Sequence, residues 1–158
     1  LHDALPISKA YTDAVAGHDV VISATHFSSV SARATIEPVK QAGVPRLLVV
    51  GGAGSLFVAP GLRVIDTPDF PEEYKAEAGA GVAFLETLSQ EKSLDWTFLS
   101  PSAEFFEGER TGAFRLGKDD LLVSAAGKSS ISFADYAIAM LDEVEQHAHP
   151  RQRFTVGY

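Results

Sequence analysis

The chain has 158 residues and carries 13 Lys plus Arg against 21 Asp plus Glu, a formal net charge of −8. That length suits one domain, and 46% hydrophobic with 22% charged residues excludes disorder and fibrous repeats. The acidic balance repels nucleic acid and anionic lipid, no apolar run approaches the ~20 residues that span a bilayer, and the lack of cysteine excludes disulfides and thiolate chemistry. The expectation is a globular cytoplasmic domain with neither nucleic acid nor membrane as a partner.

The first residue is Leu, and no basic start leads into an apolar stretch, so no signal peptide is read. The opening LHDALPIS, Leu1 to Ser8, resembles an in-frame translation of a sequencing adapter joined to a broken reading frame. An ordinary N-terminal loop is the alternative. On the first reading residues 1–8 are non-native and the domain runs over residues 9–158.

Lys9 to Ala16 reads as the end of a helix, closed by Gly17 at the left-handed position that glycine tolerates. Asp19 to Ala24 is a run rich in β-branched residues, a strand buried on both faces as in parallel sheets. The polar residues Thr25 to Ser31 predict a loop, and a helix follows to about Ala42, kinked or delayed by Pro38. Arg46 to Val50 is the second strand and runs into Gly51-Gly52-Ala53-Gly54. Ser55 to Phe70 predicts a long loop over the sheet edge.

Pro71 suits the first position of a helix, with Glu72 and Glu73 facing the positive end of its dipole. Its apolar face would be Tyr74, Ala78, Val82, Leu85 and Leu88. Asp95 to Leu99 is a third strand, stopped at Ser100-Pro101. Thr111 to Leu116 and Leu121 to Ser124 predict a hairpin, and Ser132 with Asp135 a capping box before a helix that buries Tyr136 and Met140. Arg153 to Val156 is a final strand. Strands alternating with helices predict an α/β fold, a doubly wound parallel sheet with a small C-terminal addition of hairpin, helix and strand.

The glycine run after the second strand invites comparison with a dinucleotide fingerprint, G-x-G-x-x-G opening a helix. Read from Gly52 the third glycine is absent, and Pro60 and Gly61 do not propagate a helix. A glycine-lined strand end that lets a flat ligand approach the backbone is the stronger reading. His26 follows the first strand directly, where open α/β sheets collect ligands, and can orient a substrate or relay a proton; a polar loop residue is the plainer reading. Ser55 and Ser102 lack a neighbouring base and no G-x-S-x-G elbow is present, so no hydrolase triad is proposed. His147 and His149 read as a solvated tail, Asp119-Asp120 as a turn, and no metal site is assigned.

GHDVVISA (Gly17–Ala24), AGVPRLLVVGGAGSL (Ala42–Leu56), DTPDFPEEYKAEA (Asp66–Ala78), LDWTFLSPSAEF (Leu94–Phe105), GERTGAFRLG (Gly108–Gly117) and the closing RQRFTVGY together resemble one family. It is the NAD(P)H-binding, NADH-flavin reductase group of the atypical short-chain dehydrogenases. The resemblance implies a Rossmann sheet of order 3-2-1-4-5-6-7, in which Asp19–Ala24, Arg46–Val50 and Asp95–Leu99 are strands four, five and six. It implies too that the first three strands are missing, and with them the phosphate loop. The nicotinamide side of the cleft would be lined by Ala24, Thr25 and His26, by Gly51, Gly52 and Ala53, and by Ser100, Pro101 and Ser102. The implied cofactor is NAD(P)H and the implied activity hydride transfer to a flavin- or quinone-like acceptor. A regulator that binds the dinucleotide without turnover is the alternative, and a truncated chain without function the third. Strand one would neighbour Asp19–Ala24, so its absence leaves an exposed edge open to self-association. The Tyr-Lys pair of many relatives is not expected, because Ala78 stands four residues after Tyr74.

Overall fold

The computed structural model describes residues 4–158. The expectation about Leu1 to Ser8 falls largely on residues outside that description: the backbone of 1–3 and the side chains of 1–7. In chain order the elements are α1 (Ala4–Val15), β1 (Val20–Ser23), α2 (Ala32–Gln41), β2 (Arg46–Val50), β3 (Phe57–Ala59) and β4 (Leu62–Arg63). They continue with α3 (Lys75–Ser89), β5 (Asp95–Ser100), β6 (Glu104–Phe106), β7 (Arg115–Gly117), β8 (Ser130–Ser132), α4 (Phe133–Gln146) and β9 (Gln152–Gly157).

The main sheet has the order β1-β2-β5-β9-β7. Its first three junctions are parallel and only β7 runs antiparallel to β9. Parallel neighbours need crossovers, and α2, α3 and α4 supply them. Alternate strand residues serve two layers. Val21, Leu47, Val49, Trp96 and Phe98 pack against Ile36 and Val39 of α2 and Phe84 and Leu88 of α3. Leu48, Leu99, Phe154 and Val156 pack on the other face against Tyr136, Ala139 and Met140 of α4. β2 and β5 are central, so their runs of apolar and β-branched residues are covered on both faces. β1 lies at the sheet edge, and there the expected double burial is incomplete: Val21 is buried, whereas Ile22 is 44% exposed. Ile22 faces the layer of α4, whose core is centred on Leu48, Leu99 and Phe154 and does not cover it.

Several local expectations are corrected. α2 is continuous through Pro38, whose ring is buried. The carbonyl that loses its donor belongs to Ala34, which is exposed to water, and Ser31 holds the first turn by accepting from the Ala34 N–H at 3.2 Å. The loop drawn over Ser55 to Phe70 contains the β3–β4 ribbon and a 3-10 turn at Val64–Asp66. Pro71 precedes a second 3-10 turn, Glu72–Tyr74, and is not the first residue of α3. The buried face of α3 is Gly81, Phe84 and Leu88, while Tyr74 is 60% exposed. The hairpin over 111–124 does not form. Arg115 to Gly117 pairs with Gly157 to Thr155, and the Leu121 N–H donates to the Phe57 carbonyl at 2.9 Å. His147 and His149 are no solvated tail: a left-handed turn at His147 (φ 50°) brings its Nε2 to 2.8 Å from Asp95 and His149 Nδ1 to 2.7 Å from buried Glu143.

The capping box at α4 is half realised. Ser132 Oγ accepts from the Asp135 N–H at 3.0 Å, but the Asp135 carboxylate does not return to the cap. It accepts from the N–H groups of Thr111 and Gly112 at 2.9 Å each, from the Thr111 hydroxyl at 2.6 Å and from the Tyr158 hydroxyl. One buried carboxylate thereby ties the 109–114 segment and the C-terminal strand to α4. Burial alone would raise its pKa; the hydrogen bonds from Thr111, Tyr158 and Gly112 outweigh that and draw it from 3.8 to about 2. The folded value lies below the unfolded one, so this stabilisation is present above about pH 4 and is lost as pH falls toward 2. The difference corresponds to about 2 kcal/mol. Asp135→Asn is expected to lose about that much stability at neutral pH and to flatten the acid limb of the stability profile, read by urea unfolding. Equal stability of the two proteins at neutral pH would contradict the assignment.

Candidate functional site

Because β1, β2 and β5 are parallel, their C-terminal ends leave the sheet along one edge, the place where open α/β sheets receive ligands. A cleft of about 730 Å³ opens there above the end of β2. Its base is Gly51 to Ser55. One wall is the start of α3, through Glu77, Ala78, Gly81 and Val82, and the opposite wall is Ala103 to Phe105 after β5. Val64, Thr67, Phe70 and Tyr74 complete the rim.

The base is flat for a packing reason. A Cβ on residue 51 would run into the Phe98 ring and lie 2.8 Å from the Leu99 carbonyl oxygen, so glycine is required there. Gly52 is different: the nearest atom to its absent Cβ is a Phe27 ring carbon 3.9 Å away, and the position faces the cleft. Phe27 lies beneath. Its ring is edge-on to Phe84 at 5.1 Å and stacked on Phe98 at 5.9 Å. A Cβ on Gly81 would approach the same ring at 3.0 Å, which explains a glycine inside α3 that helix propensity alone disfavours.

Glu77 holds this arrangement from the side. Its carboxylate accepts from the Phe27 N–H at 2.6 Å and the Ser28 N–H at 3.0 Å, and His26 Nδ1 stands 3.6 Å away. Partial burial pushes the Glu77 pKa up, but the bonds from Ser28 and Phe27 and the nearby imidazole bring the net shift below the ordinary value. On the far side, Phe105 is fixed edge-on by Phe133 at 4.5 Å and leans on Tyr136 at 4.8 Å. The Tyr136 hydroxyl donates to the Leu99 carbonyl at 2.7 Å, and burial pushes its pKa well above the usual phenol range. It is a structural phenol, held to the Leu99 carbonyl.

The nine residues singled out from the strand ends fall into three groups. Gly51, Gly52 and Ala53 line the cleft. Ala24, Thr25 and His26 lie exposed on the neighbouring strand end, and the His26 side chain is 85% accessible. Ser100, Pro101 and Ser102 are buried. The Ser102 hydroxyl donates to the Val156 carbonyl at 2.9 Å, and Ser100 Oγ accepts from the buried guanidinium of Arg153 at 3.3 Å. Arg153 also reaches Ser55 Oγ at 2.9 Å and Asp119 at 3.0 Å, so Ser55 too is a packing hydroxyl and Asp119 more than a turn. Tyr74 stands at the mouth of the cleft and not on the buried helix face, and the Lys75 ammonium is paired with Glu72 at 2.8 Å. Phe27 and Glu77 escaped the sequence reading. The usable signal for the first was a lone aromatic inside the polar run Thr25 to Ser31.

These strand ends belong to a recognisable class. Residues 4–146 match the family described as NAD(P)H-binding, and the chain belongs to that family. Its neighbours among solved structures share its Rossmann-like α/β fold. YwnB of Bacillus subtilis (strain 168), an uncharacterized protein, is 52% identical over 135 residues. That match covers 83% of this chain, which spans 63% of the Bacillus protein's length. A proposed exported protein of Burkholderia pseudomallei has a solved structure that is 46% identical, with a TM-score of 0.90 over 96% of this chain and 77% of its own. A proposed NADH-flavin reductase of Streptococcus pneumoniae is 39% identical, with a TM-score of 0.82 over 92% of this chain and 74% of its own. No helix among the described residues is long and apolar enough to cross a membrane.

The residues present fit one half of such a cofactor. The bare backbone at Gly52, open toward the cleft, suits the face of a planar ring. A pyrophosphate needs a strand that leads through glycines into a helix N-terminus, and among the described residues no strand does so: β2 with its glycines leads into β3. Two alanine substitutions separate the roles of the glycines. Gly51→Ala is expected to lower stability by about 2 kcal/mol or more, since both the Phe98 ring and a backbone carbonyl must move. Gly52→Ala is expected to leave the melting temperature within a degree or so of the parent while filling the cleft floor. Equal thermal stability of the two variants would contradict this division.

Proposed function

We propose that this chain forms the nicotinamide- and acceptor-facing part of an NAD(P)H-dependent oxidoreductase that reduces a flavin- or quinone-like ring. The observation that carries the reading is the flat glycine floor at the end of β2, facing an aromatic wall, in a chain of the NAD(P)H-binding family. When bound, the reduced nicotinamide supplies a hydride, two electrons with one proton, to an acceptor that takes a second proton from water and leaves the cofactor oxidised.

The protein's own part is positioning. The backbone of Gly51, Gly52 and Ala53 admits a ring face, with Ala24, Thr25 and His26 on one flank and the strand end at Ser100 to Ser102 on the other. Ser100 and Ser102 act there through backbone placement, because their hydroxyls are committed inward. Phe105, locked by Phe133 and Tyr136, presents a rigid surface on which a second ring can lie. No buried acid is needed: the second proton reaches the acceptor from solvent at the open mouth, and Tyr74 is a rim residue. A reductase drawing on NAD(P)H works where that cofactor is plentiful, so the reading sets its site of action in the cytoplasm.

The phosphate-binding part of the site, on this reading, lies in sequence N-terminal to the strands present here. The chain alone is expected to show no saturable binding of NADH or NADPH at micromolar concentration by calorimetry. A chimera carrying the N-terminal portion of the Bacillus relative ahead of residue 9 is expected to bind the cofactor and oxidise it only when a flavin or quinone is added. Cofactor binding without acceptor-dependent oxidation would overturn the reductase reading in favour of a cofactor-sensing regulator. In the same chimera Tyr74→Phe is expected to keep most of the turnover rate. A thousandfold loss with cofactor binding intact would make Tyr74 the proton donor.

A further inference from the structure

The charges around the cleft are unbalanced in a way that bears on the acceptor. Among the residues that line it, Asp69, Glu77 and Glu104 carry carboxylates and none is Lys, Arg or His. The compensation available is small. Glu77 is held by two backbone N–H groups, with His26 at 3.6 Å, and Glu104 is approached by Lys128 at 3.2 Å from outside the lining. Among the described residues Asp69 has no ion-pair partner. The rim continues the pattern: between residues 66 and 73 stand Asp66, Asp69, Glu72 and Glu73 with no basic residue among them. The nearest bases, Arg63 and Lys75, are already engaged by Asp66 and Glu72 at 2.8 Å. The rest of the lining is mostly apolar, with Phe27, Phe70 and Phe105 as aromatic surface and Ser55, Thr67 and Tyr74 as uncharged hydroxyl residues.

Such a site welcomes a flat uncharged ring and opposes an anion. A flavin mononucleotide and riboflavin share the same ring and differ by a phosphate of about −1.5 to −2 charge. With water-like screening, each carboxylate within about 6 Å of such a phosphate weakens binding roughly sixfold to tenfold, so two together exceed tenfold. A ribityl tail that leaves the cleft past Asp69 brings its phosphate toward the rim carboxylates Glu72 and Glu73. The net charge of −8 adds a long-range field of the same sign.

We propose that the acceptor of this cleft is an uncharged planar ring, a quinone or an unphosphorylated flavin, and that phosphorylated flavins are rejected by Asp69, Glu104 and the acidic rim. The proposal rests on the reductase reading above and adds the class of acceptor. It needs no cofactor for its test. The chain is titrated into riboflavin and, separately, into flavin mononucleotide at low ionic strength, and binding is read from quenching of the flavin's own emission. Riboflavin is expected to bind at least tenfold more tightly. The gap is expected to narrow as salt is raised, and to narrow also in the exposed double variant Asp69→Asn, Glu104→Gln. Equal or tighter binding of the mononucleotide overturns the proposal, as does a preference for riboflavin indifferent to both salt and the double variant. Failure of riboflavin and of menadione to bind at all overturns it as well. If riboflavin is preferred as expected but the chimera passes no hydride to riboflavin or to menadione, the reductase reading fails and the charge selectivity of the cleft stands.

Discussion

The ring of Phe27 is the piece around which the strand ends are arranged. It enters from the loop after an edge strand, touches Phe84 on α3 and Phe98 on β5, and occupies the space that a side chain on Gly81 would claim. Glu77 fixes its backbone by accepting from the N–H groups of residues 27 and 28. The same crowding, carried one residue further by Phe98, makes Gly51 obligatory. With the side chains of 51 and 81 excluded and that of 52 absent, an aromatic layer lies directly under bare backbone. That is how a hydrophobic core comes within one residue's thickness of a ligand cleft.

This arrangement couples stability to function unevenly. Phe98 is fully buried and Gly51 packs directly on it, so a methyl group added at 51 must be absorbed by a ring and a backbone carbonyl that have no room to give. Gly52, Ala53 and Phe105 face the cleft and are free to answer to a ligand. On the far side of the sheet, Asp135 performs the corresponding structural task, gathering four donors from the 109–114 segment and the C-terminal strand. That carboxylate supports α4, and α4 through Phe133 and Tyr136 supports Phe105.

The sequence made the frame of the fold legible where the signal was local. β2 and β5 sit in the centre of the sheet, covered on both faces, and their runs Leu47–Val50 and Trp96–Leu99, apolar or β-branched throughout, say so. The glycines after β2 marked, for a similar reason, where that strand ends and the cleft begins: a strand does not continue through them, and no helix follows. What could not be read was set by partners far away in the chain. Phe27 looked like part of a polar loop because its contacts, Phe84 and Phe98, come from other elements. The buried face of α3 is rotated from the apolar count because Gly81, invisible to a hydrophobicity pattern, is the closest-packed position on it. The apparent hairpin near residue 117 failed because β9, forty residues on by register, offers Arg115 to Gly117 a better edge than Leu121 to Ser124 does. Ser100 and Ser102 were correctly placed beside the other strand ends, but their hydroxyls answer to Arg153 and Val156.

The central claim is that a planar ring is received on the backbone at the end of β2. Amide chemical shifts followed during a riboflavin titration test it most directly. The account predicts that the largest changes fall on Gly52, Ala53 and Gly54, with smaller ones at Phe27, Ala78 and Phe105 around the same cleft. Changes centred on the opposite end of the sheet, at the smaller cavity beside Trp96 and Arg151, would contradict it.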